Sequence, residues 1–254
     1  VLFGYGQALE IPIPEKLLPV EEKIFTNKNI EEANILLEKA GWKIGEDGIR
    51  SKGGSTSKTI TKKVKGKTVT QTIKSNSPAT RLSFSLTTGD DAELRKTASL
   101  LKDQLAKIGV EVDIKRVYET GQLNQIIRAR DYEALFFGLI INHESDLYSF
   151  WHSSQRSDPG LNIGMYSNSK VDSLLESIQK INSTENRSEK YIKLKDEFRN
   201  NLPSITIYSP KYVYITSKGL NNFILSNLSN PSDRFASVYL WSADTDKVWK
   251  IFTK

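Results

Sequence analysis

Cysteine is absent from the 254-residue chain, which excludes disulfides, thiolate nucleophiles and cysteine-based zinc sites. Histidine is scarce: the two residues, His143 and His152, lie nine positions apart. A zinc-protease HExxH motif needs two histidines one helical turn apart, facing one metal, and His143-Glu144 has no second histidine at that spacing. No apolar run approaches the ~20 residues that a membrane-spanning helix needs. The opening residues, Val1 to Gly6, show no basic-then-apolar leader pattern, and they read as the middle of a longer polypeptide. There is no G-x-S-x-G elbow, so Ser145, His152 and Asp146 or Asp158 read as ordinary members of a polar loop. G-x-G-x-x-G and P-loop patterns are missing too, and no pair of carboxylates sits in an apolar setting that would separate their acidities. These absences leave a binding function as the expectation, with no catalytic group, resident metal or cofactor.

What is present is a soluble-protein composition with a skewed charge. Hydrophobic residues make up 38% and charged residues 26%, enough for a core beneath a polar surface. The formal net charge is +6, and much of the excess falls in 51–74, where Lys52, Lys58, Lys62, Lys63, Lys65, Lys67 and Lys74 stand among Ser, Thr and Gly. That stretch contains no aromatic residue to stack on a base, so it reads as a solvated basic hairpin, with contact to anionic polymers or lipid surfaces as the alternative, and not as a nucleic-acid site.

Residues 1–28, with Pro12, Pro14 and Pro19, form an extended, irregular entry segment. Asn29 then caps a helix through Ala40, with Ile30, Ala33, Leu36, Leu37 and Ala40 as its apolar stripe and Gly41 as its stop. Ser51–Ser55 reads as a flexible turn. Within an excursion over 51–80, Thr59–Val64 and Thr68–Ile73 flank Lys65-Gly66-Lys67 as a β-hairpin. From Arg81 the pattern is strand (Leu82–Leu86), helix (Asp90–Ile108, closed by Gly109), strand (Val110–Val117), a helix capped by Thr120, and a third strand over Tyr132–Ile141. This alternation predicts a βαβ-type α/β sheet flanked by helices. Two more helices follow at Lys170–Ile181 and Glu185–Asn201, then strand-like alternation over Ser204–Thr216. The tail, 217–254, is expected to pack along the surface as short strands and loops.

Between the third strand and the last helices lies a 142–166 loop rich in aromatic, amide and imidazole side chains, with no helix predicted. Loops longer than about 12–15 residues are uncommon in compact domains unless they serve a function or are disordered. A loop leaving the carboxyl edge of a parallel sheet is where open α/β folds bind ligands. Gly138, Asn142, His143, Glu144, Asp146, Trp151 and Asn162 are therefore the candidate ligand-binding residues. An alternative stands for Trp151 and Phe150, which could pin the loop to the core while the polar residues face water.

Several segments, in order, resemble family 5 of the bacterial extracellular solute-binding proteins, the cluster with peptide- and nickel-binding members. They are EANILLEKAGW (Glu32–Trp42) with the Asp47-Gly48 turn, LSFSLTTGDDAELRKTASLLKDQLAKIGVEVDI (Leu82–Ile114), Tyr132-Glu133-Ala134 with Gly138, NIGMYSNSKVDSLLE (Asn162–Glu176), and Glu185–Tyr208. The resemblance implies the C-terminal lobe of a type II periplasmic-binding-protein-like fold over residues 1–254, with the N-terminal lobe absent from this chain. It implies capture of an oligopeptide or other small polar solute between two lobes, hinge closure, and delivery to the transmembrane subunits of an ABC permease. It also implies an extracytoplasmic location, periplasmic or cell-surface, with a membrane anchor in the missing N-terminal part. In peptide-binding relatives an aspartate in the loop after the third strand pairs with the ligand's α-amino group. Asn142 best matches that position and carries no charge, so either Glu144 or Asp146 takes the role or the ligand has no free amine. The family's tryptophan near Gly138 is replaced by Leu139. A non-transport surface interaction protein of the same fold is the alternative.

Overall fold

The computed structural model describes residues 1–14, 17–18, 29–64, 67–141, 146–181, 184–224 and 231–244. The chain divides into two compact units, one over Lys23–Gly138 and the other over Leu2–Glu22 with Leu139–Lys254. In chain order, β1 (Gly6–Ala8) opens the second unit. The first unit then comprises α1 (Ile30–Lys39), β2 (Lys43–Ile44), β3 (Arg50–Val64), β4 (Lys67–Arg81), β5 (Ser83–Gly89), α2 (Ala92–Ala106), β6 (Glu111–Val117), α3 (Thr120–Ala129) and β7 (Ala134–Phe136). The second unit resumes with α4 (Asp146–Trp151), α5 (Ser169–Lys180), α6 (Thr184–Asn201), β8 (Tyr208–Pro210), β9 (Leu220–Asn221) and β10 (Ser242–Ala243).

In the first unit β5 lies between β6 and β7 in a three-stranded parallel sheet, as the strand–helix alternation predicts. The register pairs Ser83 with Glu111 through Gly89 with Val117, and Leu86–Thr88 with Ala134–Phe136. A central parallel strand is covered on both faces. Accordingly even Thr87 and Thr88 are buried beside Leu86. Ala98 of α2, Val110 and Val112 complete the core, with Phe84, Leu105, Ile108, Ile114 and Phe136 packed against it. Asp91 caps α2 by accepting from the Glu93 and Leu94 amides, so the chain enters that helix at a fixed point.

Several boundaries differ from the sequence reading. The third strand is only Ala134–Phe136, because β7 pairs with β5 over three residues and Phe137–Ile141 follow without regular structure. Thr120 is the first residue of α3, and Glu119 holds the cap position without a side-chain hydrogen bond. The apolar stripe of α1 is not buried: Ile30 and Leu36 are exposed, and only Ala33, Asn34 and Leu37 are half-buried. Asn29 does cap that helix, accepting from the Glu32 amide at 2.8 Å, and Gly41 stops it at a φ of 89°. Ser51–Ser55 is not a turn but the root of β3, with a bulge between Lys52 and Gly54. The hairpin is real and longer than predicted, 15 residues in each strand; Lys65 and Gly66 lie outside the described residues.

Arg50, only 1% exposed, joins α1, β3 and the end of α2. Its Nε donates to the Ile108 carbonyl (2.9 Å), Nη1 to the Trp42 carbonyl (2.7 Å) and Nη2 to Asn34 Oδ1 (2.8 Å). Its backbone N–H donates to Gly109 O, and its carbonyl accepts from Leu82 N. Gly109 has a φ of 78°, and a Cβ there would come within 2.8 Å of Arg50 Cγ. Glycine is therefore required twice over, by conformation and by space.

The second unit packs three helices around aliphatic and aromatic stripes. Val171, Leu175 and Ile178 of α5 recur at helical spacing, as do Tyr191, Leu194 and Phe198 of α6, and all six are buried. Ile11 and Ile13 complete this core, so the entry segment is a structural strap and not only an extended lead-in. Its first part, β1, pairs antiparallel with β8, matching Gly6 to Pro210 and Ala8 to Tyr208. The predicted alternation over 204–216 yields only that three-residue strand, since β1 offers no longer partner. Entry residues 15–16 and 19–28 and tail residues 225–230 and 245–254 lie outside the described set. The described tail has the short strands β9 and β10, paired with each other, plus 3-10 turns.

The polar contacts of the first unit are open to two tests. Arg50→Lys keeps the charge but loses the planar fork, and should lower unfolding free energy by about 3 kcal/mol, read by denaturant titration. Glu133 Oε2 accepts from both the Ser85 hydroxyl (2.7 Å) and the Ser85 amide (2.6 Å), which hold its carboxyl below the usual value. Asp47 is likewise lowered, first by the Ile49 amide and then by Arg81. Groups with depressed folded pKa values stabilise the fold above the ordinary carboxylate value of about 4, and that contribution is lost as pH falls through the folded value. Stability should thus be level from neutral pH to about 5 and fall below it. Ser85→Ala should move the Glu133 titration upward in NMR-detected pH series.

Candidate functional site

The parallel sheet ends its three strands at one edge, because the register sets Gly89 beside Val117 and Thr88 beside Phe136. Residues just beyond those ends therefore gather at the carboxyl edge of the first unit. Gly138 is among them, exposed, with open space where a Cβ would stand. So are Tyr118, 68% exposed, and Phe137, 41% exposed, two aromatic rings left in water where apolar side chains would gain by burial. The sequence reading overlooked both. Their signal was an aromatic one residue past a strand end, visible only once β6 and β7 had fixed boundaries.

Asn142, His143 and Glu144, all expected ligand contacts, lie outside the described residues. Asp146 begins α4, a helix where the sequence predicted loop; an acid in the first turn suits the helix's positive end. Trp151 ends α4 and is 3% exposed, its ring tilted 59° against Phe198 at 5.3 Å and edge-on to Tyr166 at 6.5 Å. It packs in the core of the second unit together with Leu147, which is what forces a helix here: positions 147 and 151 both face inward.

Asn162 is fully buried, and its amide stitches the loop to itself. Nδ2 donates to the His152 carbonyl (3.1 Å) and to the Tyr166 carbonyl (2.9 Å), while Oδ1 accepts from the Tyr166 amide (3.0 Å). Burial pushes the Tyr166 phenol above its usual value, so it stays neutral. His152 stacks on Tyr148 at 4.2 Å. Its Nδ1 accepts from the Ser154 amide at 3.1 Å and lies 2.8 Å from Ser154 Oγ, which assigns the ring hydrogen to Nε2. Nε2 faces Glu176 at 3.5 Å and Asp172 at 4.0 Å. Asp172 in turn accepts from the Ser153 amide (2.9 Å) and hydroxyl (2.6 Å), tying the turn after α4 to the start of α5. The partner of His152 Nδ1 is thus a serine and not a carboxylate, unlike the orientation in a Ser-His-Asp triad. Among the described residues no three His, Asp or Glu side chains gather to hold a metal.

Between α4, α5 and α6 lies a cavity of about 360 Å³ lined by Leu147, Tyr148, Leu175, Ile178, Arg187 and Tyr191 among others. Its size falls at the small end of ligand pockets, and its walls are chiefly apolar. The predicted site residues thus divide. Gly138 lies at the sheet edge of the first unit, whereas Asp146, Trp151 and Asn162 belong to the second, with Trp151 and Asn162 turned inward.

The family described as bacterial extracellular solute-binding proteins, family 5 Middle, matches residues 1–159. The chain belongs to that family. A curated relative, the nickel-binding protein NikA of Staphylococcus aureus, is 26% identical over 222 residues, covering 86% of this chain and 38% of that protein. Among solved structures, the oligopeptide-binding protein AppA of Bacillus subtilis in complex with a nonapeptide superposes with a TM-score of 0.67 at 23% identity, covering 95% of this chain and 43% of that one. NikZ of Campylobacter jejuni in complex with Ni(L-His) gives 0.65 at 20% identity, covering 94% and 44%. The chain therefore spans less than half the length of these relatives, and their likeness establishes the α/β binding-protein fold.

The loop's internal stitching gives a direct test. Asn162→Ala removes two donors and one acceptor in a buried setting and should cost about 2–3 kcal/mol. Calorimetric unfolding would read this as a lower midpoint, while an exposed ligand contact would leave it unmoved.

Proposed function

We propose that this chain is the C-terminal lobe of the substrate-binding component of an ABC importer, capturing an oligopeptide or another small polar solute and passing it to the permease. The family match across residues 1–159 carries this reading. On it, the first contacts are made at the carboxyl edge of the parallel sheet, where open α/β folds receive ligands. Gly138 lets a ligand approach the backbone there, and Tyr118 and Phe137 supply apolar walls. Asn142, His143, Glu144 and Asp146 are the polar candidates read from the sequence, and either Glu144 or Asp146 provides the charge that Asn142 lacks or the ligand has no free amine. Trp151 and Asn162 act one step back, holding the segment that begins at Asp146 against the second unit's core. Capture occurs by closure of a second lobe over this edge, and the assembly works outside the cytoplasm, anchored at the membrane.

The test is a thermal-shift screen of the two-lobed protein against peptides of graded length, single amino acids, nickel–histidine complexes and sugars. A ligand present at 100 times its Kd should stabilise the native state by about 2.7 kcal/mol. Tyr118→Ala and Phe137→Ala should leave the unliganded midpoint within about 0.5 kcal/mol of the parent, because both rings are exposed, yet reduce the ligand-induced shift. No stabilisation by any class would sink the transport reading and favour a surface interaction protein of the same fold.

A further inference from the structure

We propose that the β3–β4 hairpin is a membrane-docking arm that binds anionic lipid headgroups. The chain carries 36 Lys and Arg against 30 Asp and Glu. Nine of the basic residues and none of the acidic ones fall between Arg50 and Arg81, which leaves 27 against 30 elsewhere. The positive character of the protein is therefore a property of this one element, and the remainder is slightly acidic.

The register adds a second, independent observation. From the Gly54–Ser77 pair to the Val64–Lys67 pair the two strands match residue for residue. Residues directly opposite each other share a face, and successive pairs alternate faces. One face carries Lys58 opposite Ile73, Ile60 opposite Gln71, Lys62 opposite Val69, and Val64 opposite Lys67. The other carries Ser57 opposite Lys74, Thr59 opposite Thr72, Thr61 opposite Thr70, and Lys63 opposite Thr68. Every aliphatic residue of the paired arm thus falls on one face, interleaved with three lysines, and the opposite face has none.

That segregation selects the partner. A soluble polyanion asks only for positive charge and gives no reason to sort isoleucine and valine onto one side. Single-stranded nucleic acid asks for aromatic stacking, which the arm cannot offer, and a duplex, like other polyanions, asks for positive charge alone. A bilayer surface with anionic headgroups asks for both properties at once, apolar groups that enter the interface and lysines that meet phosphate. The span from Gly54 to Val64 reaches about 35 Å. Within its own unit, the arm pairs with β2 only at Arg50 and Ser51, at its root. Lysine, a compact point charge, suits contact with many headgroups in no fixed geometry.

The test is co-sedimentation of the full chain with vesicles of phosphatidylcholine alone or mixed with phosphatidylglycerol, at low and physiological salt. Binding is expected on the anionic vesicles and not on the neutral ones. Lys58→Gln, Lys62→Gln and Lys67→Gln should each weaken it about five-fold. The Ile60→Ser/Ile73→Ser pair leaves the charge unchanged and should still weaken it several-fold, whereas Lys63→Gln/Lys74→Gln on the other face should cost less than the same change at Lys58 and Lys62. An unchanged unfolding midpoint in the arm variants secures the comparison, and the contacts of Arg50 stand apart from these positions. Equal binding to neutral and anionic vesicles overturns the proposal. So does insensitivity to Ile60→Ser/Ile73→Ser combined with full competition by soluble polyphosphate, which would make the arm a general polyanion binder. None of these outcomes depends on the transported solute, so the arm can fail while the transport reading stands, and the reverse.

Discussion

A guanidinium taken out of water loses several kcal/mol of hydration unless its donors are met inside the protein. Arg50 is buried and meets that demand with the Ile108 carbonyl, the Trp42 carbonyl and Asn34, with Glu38 at 3.7 Å adding opposite charge. The partners come from three places in the sequence: α1, the bend after it, and the end of α2. Each must sit where a planar fork can reach it, so one side chain fixes the relative placement of elements that share few apolar contacts. The exposure of Ile30 and Leu36 follows from this. Helix α1 is held through Asn34 and a carbonyl beyond its C-terminus, and its half-buried side is the one bearing Ala33, Asn34 and Leu37. Gly109 is constrained by the same residue, since the arginine stem fills the space a Cβ would need.

The hairpin inherits its starting point from this knot. Arg50 is both the first residue of β3 and the donor to Gly109 O, and its own carbonyl receives the Leu82 amide that leads into β5. The two ends of the excursion, at Arg50 and Leu82, are thereby fixed to each other and to the sheet. A long insertion at such a place costs the core little, because loop closure is already complete at the root. This explains how nine positive charges are accommodated next to a compact parallel sheet. Arg81 at the root is itself neutralised by Asp47 and by Glu111, 2.9 Å from its Nε, so the unbalanced charge lies further out along the arm.

Sequence periodicity revealed much of the architecture. The cap at Asn29, the closing glycines 41 and 109, the sheet of β5, β6 and β7 and both long helices of the second unit were legible because each is written in local chemistry, whereas the cap at Asp91 was read as part of its helix. What escaped depended on distant partners. Arg50 drew no reading from the sequence, since nothing near it announces the Ile108 carbonyl. The run from Tyr132 to Ile141 read as a single strand, yet a strand lasts only as long as its neighbour pairs with it, and β5 pairs with β7 for three residues. Helix α4 was hidden in a loop because six residues give too little periodicity to see. Trp151 and Asn162 looked like ligand contacts because the same groups that recognise a polar solute also stitch a loop, and only burial tells the two uses apart. Asn142, His143 and Glu144 lie outside the described residues, so at those positions the sequence reading stands without a structural counterpart.

Burial also separates stability from recognition across the molecule. Polar groups that organise the fold are enclosed and matched: Arg50 in the first unit, and Asn162 with the Asp172–Ser153 pair in the second. Changing any of them strands a partner out of reach of water, and the cost falls on folding. Tyr118, Phe137 and Gly138 at the sheet edge are instead exposed, with no role in the apolar core of their unit. Exposed aromatics cost the folded state little to keep or lose, so such positions are free to be set by what they touch rather than by what they support. On the proposed binding reading, edge residues can change with the solute while the knot at Arg50 keeps holding the fold.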